Sequence, residues 1–463
     1  MAAMPPYETL SRRGFIGAAC AVAATVEGAA QTGAVRFQVD PQKRLARIPD
    51  DFIGLGYEVS SVSERGLLTV ENRQYVQLVR RLSPAGVIRI GGNTSDYATW
   101  SSNGPAVSSP KATVVDRRGV SDLATFLRAT GWRLIWGFNL GSGTVDQAVE
   151  EAMAVADSVG SLLLAFEIGN EPDLFPGVHR PANYSYADYF VEYQRFQKAI
   201  RDKLPNAPFA GPDVIVHIDW LEQFAKAEAA DIKQLTYHYY AEGPPDNPAS
   251  TIDTLMKPST ILPGILARLQ AASFSSGVPY RICEANSCFG GGKPGVSDTM
   301  AAALWGLDFM FALAQFGAAG VNMETGVNHL GFLSFYTPIG EDAAHNFIAM
   351  PLYYGMLAFS QASRGRLLAS MLDPGGVNVS AYAVDSDRGE IWLTVINKEA
   401  AREAPVRVAC PGVATAKVMR LAASSLASKE GVRFAESRDL LRITGGEFEI
   451  VVPAASAVLV RLR

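Results

Sequence analysis

A chain of 463 residues exceeds what one hydrophobic core usually serves, which sets an expectation of two or three units and excludes a single small module. With 48% hydrophobic and 19% charged residues, and with 42 Gly and 26 Pro spread along it, the composition is that of a globular protein and excludes a disordered tail or a collagen. The 41 basic and 46 acidic side chains leave a net charge of -5 with no Lys/Arg run longer than two, so a phosphate-neutralising surface for nucleic acid is excluded as well.

The first 30 residues read as an address label. Ser11-Arg12-Arg13-Gly14-Phe15-Ile16 is a twin-arginine pattern, and it is followed by the apolar run Phe15 to Val26 and the small residues Gly28-Ala29-Ala30. A run this short does not span a bilayer, which takes about 20 residues. The pattern predicts export in folded form to a bacterial periplasm or beyond. Residues 31–49 hold the alternating segment Val35 to Val39, expected as an edge strand of a later sheet.

From residue 50 to 361 short apolar runs alternate with helical patterns, the signature of βα units around a parallel sheet. The strand candidates are Phe52 to Glu58, Gly86 to Gly92, Trp132 to Leu140, Leu162 to Glu171, Phe209 to Asp213, Gln234 to Tyr240, Tyr280 to Asn286 and Gly320 to Thr325. Helical patterns such as Glu71 to Arg81, Val145 to Val159, Tyr186 to Lys203 and Ile218 to Ala229 separate them. Eight such units predict a closed (β/α)8 barrel. The apolar stretch Met300 to Val321 carries Asp308 and Gln315 and fits a buried amphipathic helix feeding a parallel strand, not a membrane span.

After residue 362 the period becomes two, as in Asn378 to Val384 and Glu390 to Asn397 around the turn Asp385 to Gly389. Further strands are expected at Val406 to Ala409, Ala416 to Arg420, Phe448 to Val452 and Ala457 to Arg461, giving a β-sandwich over residues 362–463. Of four cysteines Cys20 lies in the leader, and Cys283, Cys288 and Cys410 show no CxxC or His/Cys spacing. No metal or cofactor is expected, and the three read as isolated buried thiols, with a Cys283–Cys288 bridge as the alternative.

In such a barrel, reacting groups come from the carboxyl ends of strands. The fourth candidate ends Phe166-Glu167-Ile168-Gly169-Asn170-Glu171-Pro172, and the seventh Arg281-Ile282-Cys283-Glu284-Ala285-Asn286. Glu171 and Glu284 then face one another across the mouth, and glycoside hydrolysis needs such a pair, one carboxyl protonating the leaving oxygen while the other attacks or activates water. Read alone, Glu171 is more simply a capping acid and Glu284 a salt-bridged strand-end acid. Glu167 shares the parity of Glu171 but lies deeper, where a buried base such as Arg89 pairs with it. The second strand gives Arg89-Ile90-Gly91-Gly92-Asn93, whose glycines permit backbone approach to a sugar and whose Arg89 holds a carboxylate ionised. His238-Tyr239-Tyr240 ends the sixth strand, offering an imidazole or hydroxyl to the nucleophile, and Glu58 and Glu324 end the first and eighth as acceptors for sugar hydroxyls.

Together, Gly169 to Pro172, Arg89 to Asn93, His238 to Tyr240, Glu284 to Ser287 and the loop Phe335-Tyr336-Thr337-Pro338-Ile339-Gly340 resemble glycoside hydrolase family 79, which holds β-glucuronidases and heparanase-type endoglucuronidases. The resemblance covers about residues 35–463. It implies Glu171 as acid/base, Glu284 as nucleophile, Asn170 on the sugar 2-hydroxyl and Tyr240 against the nucleophile. Tyr336 with its loop through Gly340 would bind the uronic carboxylate. Where the family places a second carboxylate-binding tyrosine, five residues after the nucleophile, this chain has Phe289, which offers no donor. The implied activity is a retaining exo-β-glucuronidase on a carbohydrate substrate. A heparanase-like endo enzyme or a retaining β-glycosidase for a neutral sugar are the alternatives, and a sugar-binding protein without turnover is the reading from another class.

Overall fold

A computed structural model of the chain describes residues 34–102, 113–325, 334–438 and 441–463. The expected leader lies outside them. Eight parallel strands close a barrel in chain order: Ile53–Glu58, Val87–Gly91, Arg133–Phe138, Leu163–Ile168, Phe209–Val214, Ile232–Glu242, Tyr280–Cys288 and Gly320–Glu324, the last pairing with the first. Local signals set the helices between them. Asn72 accepts from Tyr75 N to open Arg73–Leu82, while Thr144 accepts from Gln147 N to open Val145–Val159. Gly131, at φ 77°, closes Arg117–Thr130 in the left-handed conformation that favours glycine. The barrel is filled by its own inward side chains, among them Val87, Ile135, Ala165, Ala210 and Cys283.

Apart from two small two-stranded pairs, Thr99–Ser101 with Val114–Asp116 and Ile339–Glu341 with Phe347–Ala349, the remaining strands form one nine-stranded sheet that curls on itself, so the expected sandwich is a single continuous ladder. Val35, Phe37 and Val39 share a core with Leu393, Val395, Val418, Phe448, Ile450 and Val460, which brings both ends of the ladder onto one interior. Val35–Arg47 is not an edge. It lies between Gly365–Asp373, antiparallel, and Ala404–Ala409, parallel.

Helix Met300–Gln315 feeds the eighth barrel strand as expected but is apolar almost all round, not amphipathic. The reason is the sheet, which covers the helix face that solvent would otherwise meet: Phe311 stacks on Tyr382 at 4.6 Å, and Ala301 N donates to Leu426 O at 2.9 Å. Its one acid is satisfied within the same contact, Asp308 pairing with Lys398 Nζ at 2.7 Å and accepting from Tyr382 Oη at 2.7 Å. Among the described residues no helix is long and apolar enough to cross a membrane, and Cys283, Cys288 and Cys410 are free and buried.

Candidate active site

Both acids depart from regular strand geometry. The fourth strand stops at Ile168, because Gly169 has φ 86° and Glu171 itself has φ 49°, a left-handed backbone that a residue with a Cβ adopts only when its surroundings enforce it. The enforcement is visible: Glu171 N donates to Asp213 O at 2.9 Å, and Asp173 accepts the backbone N–H groups of Ile215, Val216 and His217, stitching this turn to the end of the fifth strand. Glu284 lies within the seventh strand, where the register against the sixth slips between Ile282 and Glu284, a bulge that re-aims the side chain.

The carboxylates meet over the barrel mouth. Glu171, His238 and Glu284 each present an atom, and all three atoms lie within 4.8 Å of one another. Arg89 Nη1 donates to Glu284 Oε2 at 2.6 Å and Tyr240 Oη to Glu284 Oε1 at 2.7 Å, so each nucleophile-candidate oxygen already faces a donor. His238 Nδ1 is 2.9 Å from Glu171 Oε1, and its Nε2 is 2.8 Å from Asp213 Oδ1. With Arg89 and Tyr240 on Glu284, the trio is engaged internally, as hydrogen-bonded acids are, and does not read as a metal cage.

Beneath them Arg89, wholly buried, also donates to Glu167 at 3.2 Å, to Asn170 Oδ1 at 2.8 Å and to Asp213. The pairing of Glu167 with Arg89 is the one its depth suggested. Asn170 Nδ2 reaches Asn93 Oδ1 at 3.4 Å, and Asn93 stands exposed at the mouth. Glu58 accepts from Thr94 N and Oγ1, both at 2.7 Å. Gly91 and Gly92 make room for these groups and not for a sugar: a Cβ on Gly91 would strike the Arg89 guanidinium, and one on Gly92 would overlap the Glu58 carboxylate.

The electrostatics separate the acids. Burial raises Glu171, His238 opposes the rise and the Glu284 charge adds to it, leaving the carboxyl above its usual range. Glu58 is pushed up to about 7 by burial and then by Glu284. Burial disfavours a charged His238, yet Asp213 and Glu284 outweigh it and hold the ring well above the usual imidazole range. For Asp213, burial is outweighed by Arg89 and then His238, and it stays below the usual carboxylate range.

Tyr336 is buried beside Tyr240 at 6.1 Å between ring centres, and burial, with the Glu324 and Glu284 charges adding to it, pushes its phenol well above the usual range. Phe289 stands edge-on to Tyr240 at 6.3 Å. Gly340 pairs with Ile348 in a short hairpin, and a Cβ on it would meet Met350. The structure gathers Glu58, Arg89, Asn93, Asn170, Glu171, His238, Tyr240 and Glu284 by hydrogen bonds, with Tyr336 against Tyr240. Sequence reasoning misses Asp213 as a site residue, although it closes the fifth strand candidate, where the strand-end rule could have found it.

No family model matches the chain. Among curated proteins, a β-glucuronidase of Aspergillus niger is 25% identical over 358 residues, 69% of this chain and 64% of that one. A β-glucuronidase of Neurospora crassa is 29% identical over 58% of this chain and 55% of its own, and mouse heparanase 26% identical over 62% and 55%. The chain thus spans less than two thirds of the length of each of these relatives. Among solved structures, a 4-O-α-L-rhamnosyl-β-D-glucuronidase of Fusarium oxysporum superposes with TM-score 0.76 at 20% identity, covering 92% of this chain and 99% of that one. A GH51 arabinofuranosidase of Xanthomonas axonopodis gives 0.70 at 15% identity over 93% and 100%. These two likenesses are of fold.

Proposed function

We propose that this chain, similar to β-glucuronidases and heparanase, is a glycoside hydrolase of the family 79 type: a retaining β-glucuronidase, exo-acting, with Glu284 as nucleophile and Glu171 as acid/base. The observation that carries the reading is the meeting of Glu171 and Glu284 with atoms inside 4.8 Å. Retention through a covalent intermediate takes carboxyl groups about 5 to 5.5 Å apart, whereas inversion leaves about 6.5 to 9.5 Å for a water. In the first step Glu284 attacks the anomeric carbon while Glu171, whose protonated form burial favours, gives its proton to the leaving oxygen. In the second, the ionised Glu171 takes a proton from water, which displaces Glu284 and restores both groups. In this reading Asn170 and Asn93, which meet at 3.4 Å, take sugar hydroxyls, and Tyr336 takes the uronic carboxylate.

Glu284→Ala should abolish turnover of 4-nitrophenyl β-glucuronide, and azide should restore it as the α-glycosyl azide. Glu171→Ala should spare activated aryl glucuronides far more than natural ones and give the β-azide. Near-wild-type activity of either variant on a natural glycoside rules the assignment out. Phe289 favours a second reading, a neutral glycone, which a panel of β-glucoside, β-galactoside and β-xyloside decides by relative rate; product chain length decides between exo and endo action. We also propose twin-arginine export, in which Arg12→Lys with Arg13→Lys leaves the precursor inside the cell; unchanged export refutes it.

A further inference from the structure

Asp213 is neither of the two reacting carboxyls, yet it touches what holds both. It sits one residue before the end of the fifth barrel strand with φ 63°, wholly buried, and its backbone oxygen receives the Glu171 N–H at 2.9 Å. One side-chain oxygen takes Arg89 Nη2, while Nη1 of the same guanidinium is on Glu284; the second is 2.8 Å from His238 Nε2, whose Nδ1 is on Glu171.

We propose that Asp213 is a positioning residue for the acid/base: it keeps both ring nitrogens of His238 protonated, so that Nδ1–H donates to Glu171 Oε1 and the acidic proton of Glu171 is confined to Oε2. The proposal rests on the reading of Glu171 as the acid. A neutral imidazole has one N–H, and the ionised Asp213 is acceptor only, so Nε2 carries that proton. Nδ1 also faces carboxyl oxygens, Glu171 Oε1 at 2.9 Å and Glu284 Oε2 at 3.9 Å. The charged and titratable groups around the ring are Asp213 from the fifth strand, Glu167 and Glu171 from the fourth and its turn, Glu284 and Cys283 from the seventh, and Arg89 from the second. As the proposed nucleophile Glu284 acts as a carboxylate, and with Asp213 it sets two acceptors against the single charge of Arg89, so an imidazolium at His238 answers the second; burial meanwhile favours the protonated forms of Glu167 and Glu171. A proton on Glu171 Oε1 would be spent on His238; on Oε2 it is free for the leaving oxygen. Once given up, it leaves a carboxylate that already accepts an N–H from a cation.

Two measurements test this. Nitrogen-15 NMR of the wild-type protein, whose sequence has 5 histidines and whose His238 is assigned by its loss in His238→Gln, should show both ring nitrogens protonated through neutral pH. A neutral His238 at pH 7 overturns the proposal. In Asp213→Asn, kcat/KM on aryl β-glucuronides should fall at least about tenfold more for poor leaving groups than for 2,4-dinitrophenolate. The basic limb of its pH profile should move up by about one unit, because Glu171 has lost its cationic neighbour. Equal loss across leaving groups with the limb unmoved makes Asp213 a structural support and refutes the proposal. If Asp213→Asn does not fold, the wild-type spectrum decides alone. It decides equally if wild type cleaves no glycoside, a result that removes the functional reading by itself.

Discussion

Tyr240→Phe removes one donor from Glu284, the proposed nucleophile, and leaves the ring in place. The hydroxyl removed sits 2.7 Å from Glu284 Oε1, while Arg89 stays 2.6 Å from Oε2 and the ring keeps its neighbours Phe289 and Tyr336. A hydrogen bond to a charged group is worth about 1.5 to 3 kcal/mol. Attack by Glu284 consumes the carboxylate charge and its release regenerates it, so the lost donor weighs on the second step. If about half the charge has returned at that transition state, the loss is about 0.8 to 1.5 kcal/mol, or about 4- to 13-fold in the rate of deglycosylation. The first step is not slowed by the same term, since a less stabilised carboxylate attacks at least as well. With an activated aryl glucuronide kcat and KM should therefore fall together. Stopped flow should show a burst of phenolate, and the intact mass should rise by one glycosyl unit during turnover. A fall in kcat with neither a burst nor a mass increase would refute the reasoning and move the role of Tyr240 to the first step.

Tyr336→Phe should weaken transition-state binding of a glucuronide by about 1.5 to 3 kcal/mol and leave neutral glycosides unaffected, as kcat/KM on paired substrates reads; equal effects on both would deny it the uronate. Phe289→Tyr should leave glucuronide turnover equal or improved, and a loss would mean that the phenyl ring itself is needed. Away from the site, Glu151 is buried on helix Val145–Val159 and receives Trp136 Nε1–H at 3.0 Å, and burial pushes its carboxyl up to about 8. Because the folded value lies above the unfolded one, its contribution is full below about pH 4.5 and is lost as pH rises toward 8. Glu151→Gln keeps an acceptor for Trp136. It should match wild type in denaturant melts below pH 5 and exceed it by about 1 kcal/mol or more above pH 8; parallel pH curves would contradict this.

The barrel was legible because each buried parallel strand is a short apolar run and each intervening helix carries its own start and stop, signals that reside in neighbouring residues. Val145–Val159 and Tyr186–Lys203 emerge with the expected bounds for that reason. What depends on distant partners was not legible. Val35, Phe37 and Val39 announce a strand with one buried face, but alternation gives no information on whether both backbone edges are paired. The apolar helix Met300–Gln315 carries no pattern that says which of its faces meets the barrel and which the sheet.

The site divides along the same line. A strand-end rule suffices to nominate Glu171, Glu284, Arg89 and His238, because chemistry at a barrel mouth requires residues there. Their mutual geometry depends on deviations from the strand: a left-handed turn at Glu171 and a bulge before Glu284, each imposed by hydrogen bonds to other strands. Asp213 depends on distant strands in the same way. On its own strand it is only an acid after a proline, and its weight arises where the second, fourth and sixth strands deliver Arg89, the Glu171 amide and His238 to it. In the bare sequence the glycines beside the site look like openings for a sugar, whereas Gly91 and Gly92 accommodate the protein's own guanidinium and carboxylate. A buried charge must be met by donors before any substrate arrives. On the proposed reading, the residues flanking Glu171 and Glu284, Tyr240 among them, are thus committed first to holding these acids, and the choice of sugar falls to the remaining groups, Asn93 and Tyr336 with Phe289 nearby.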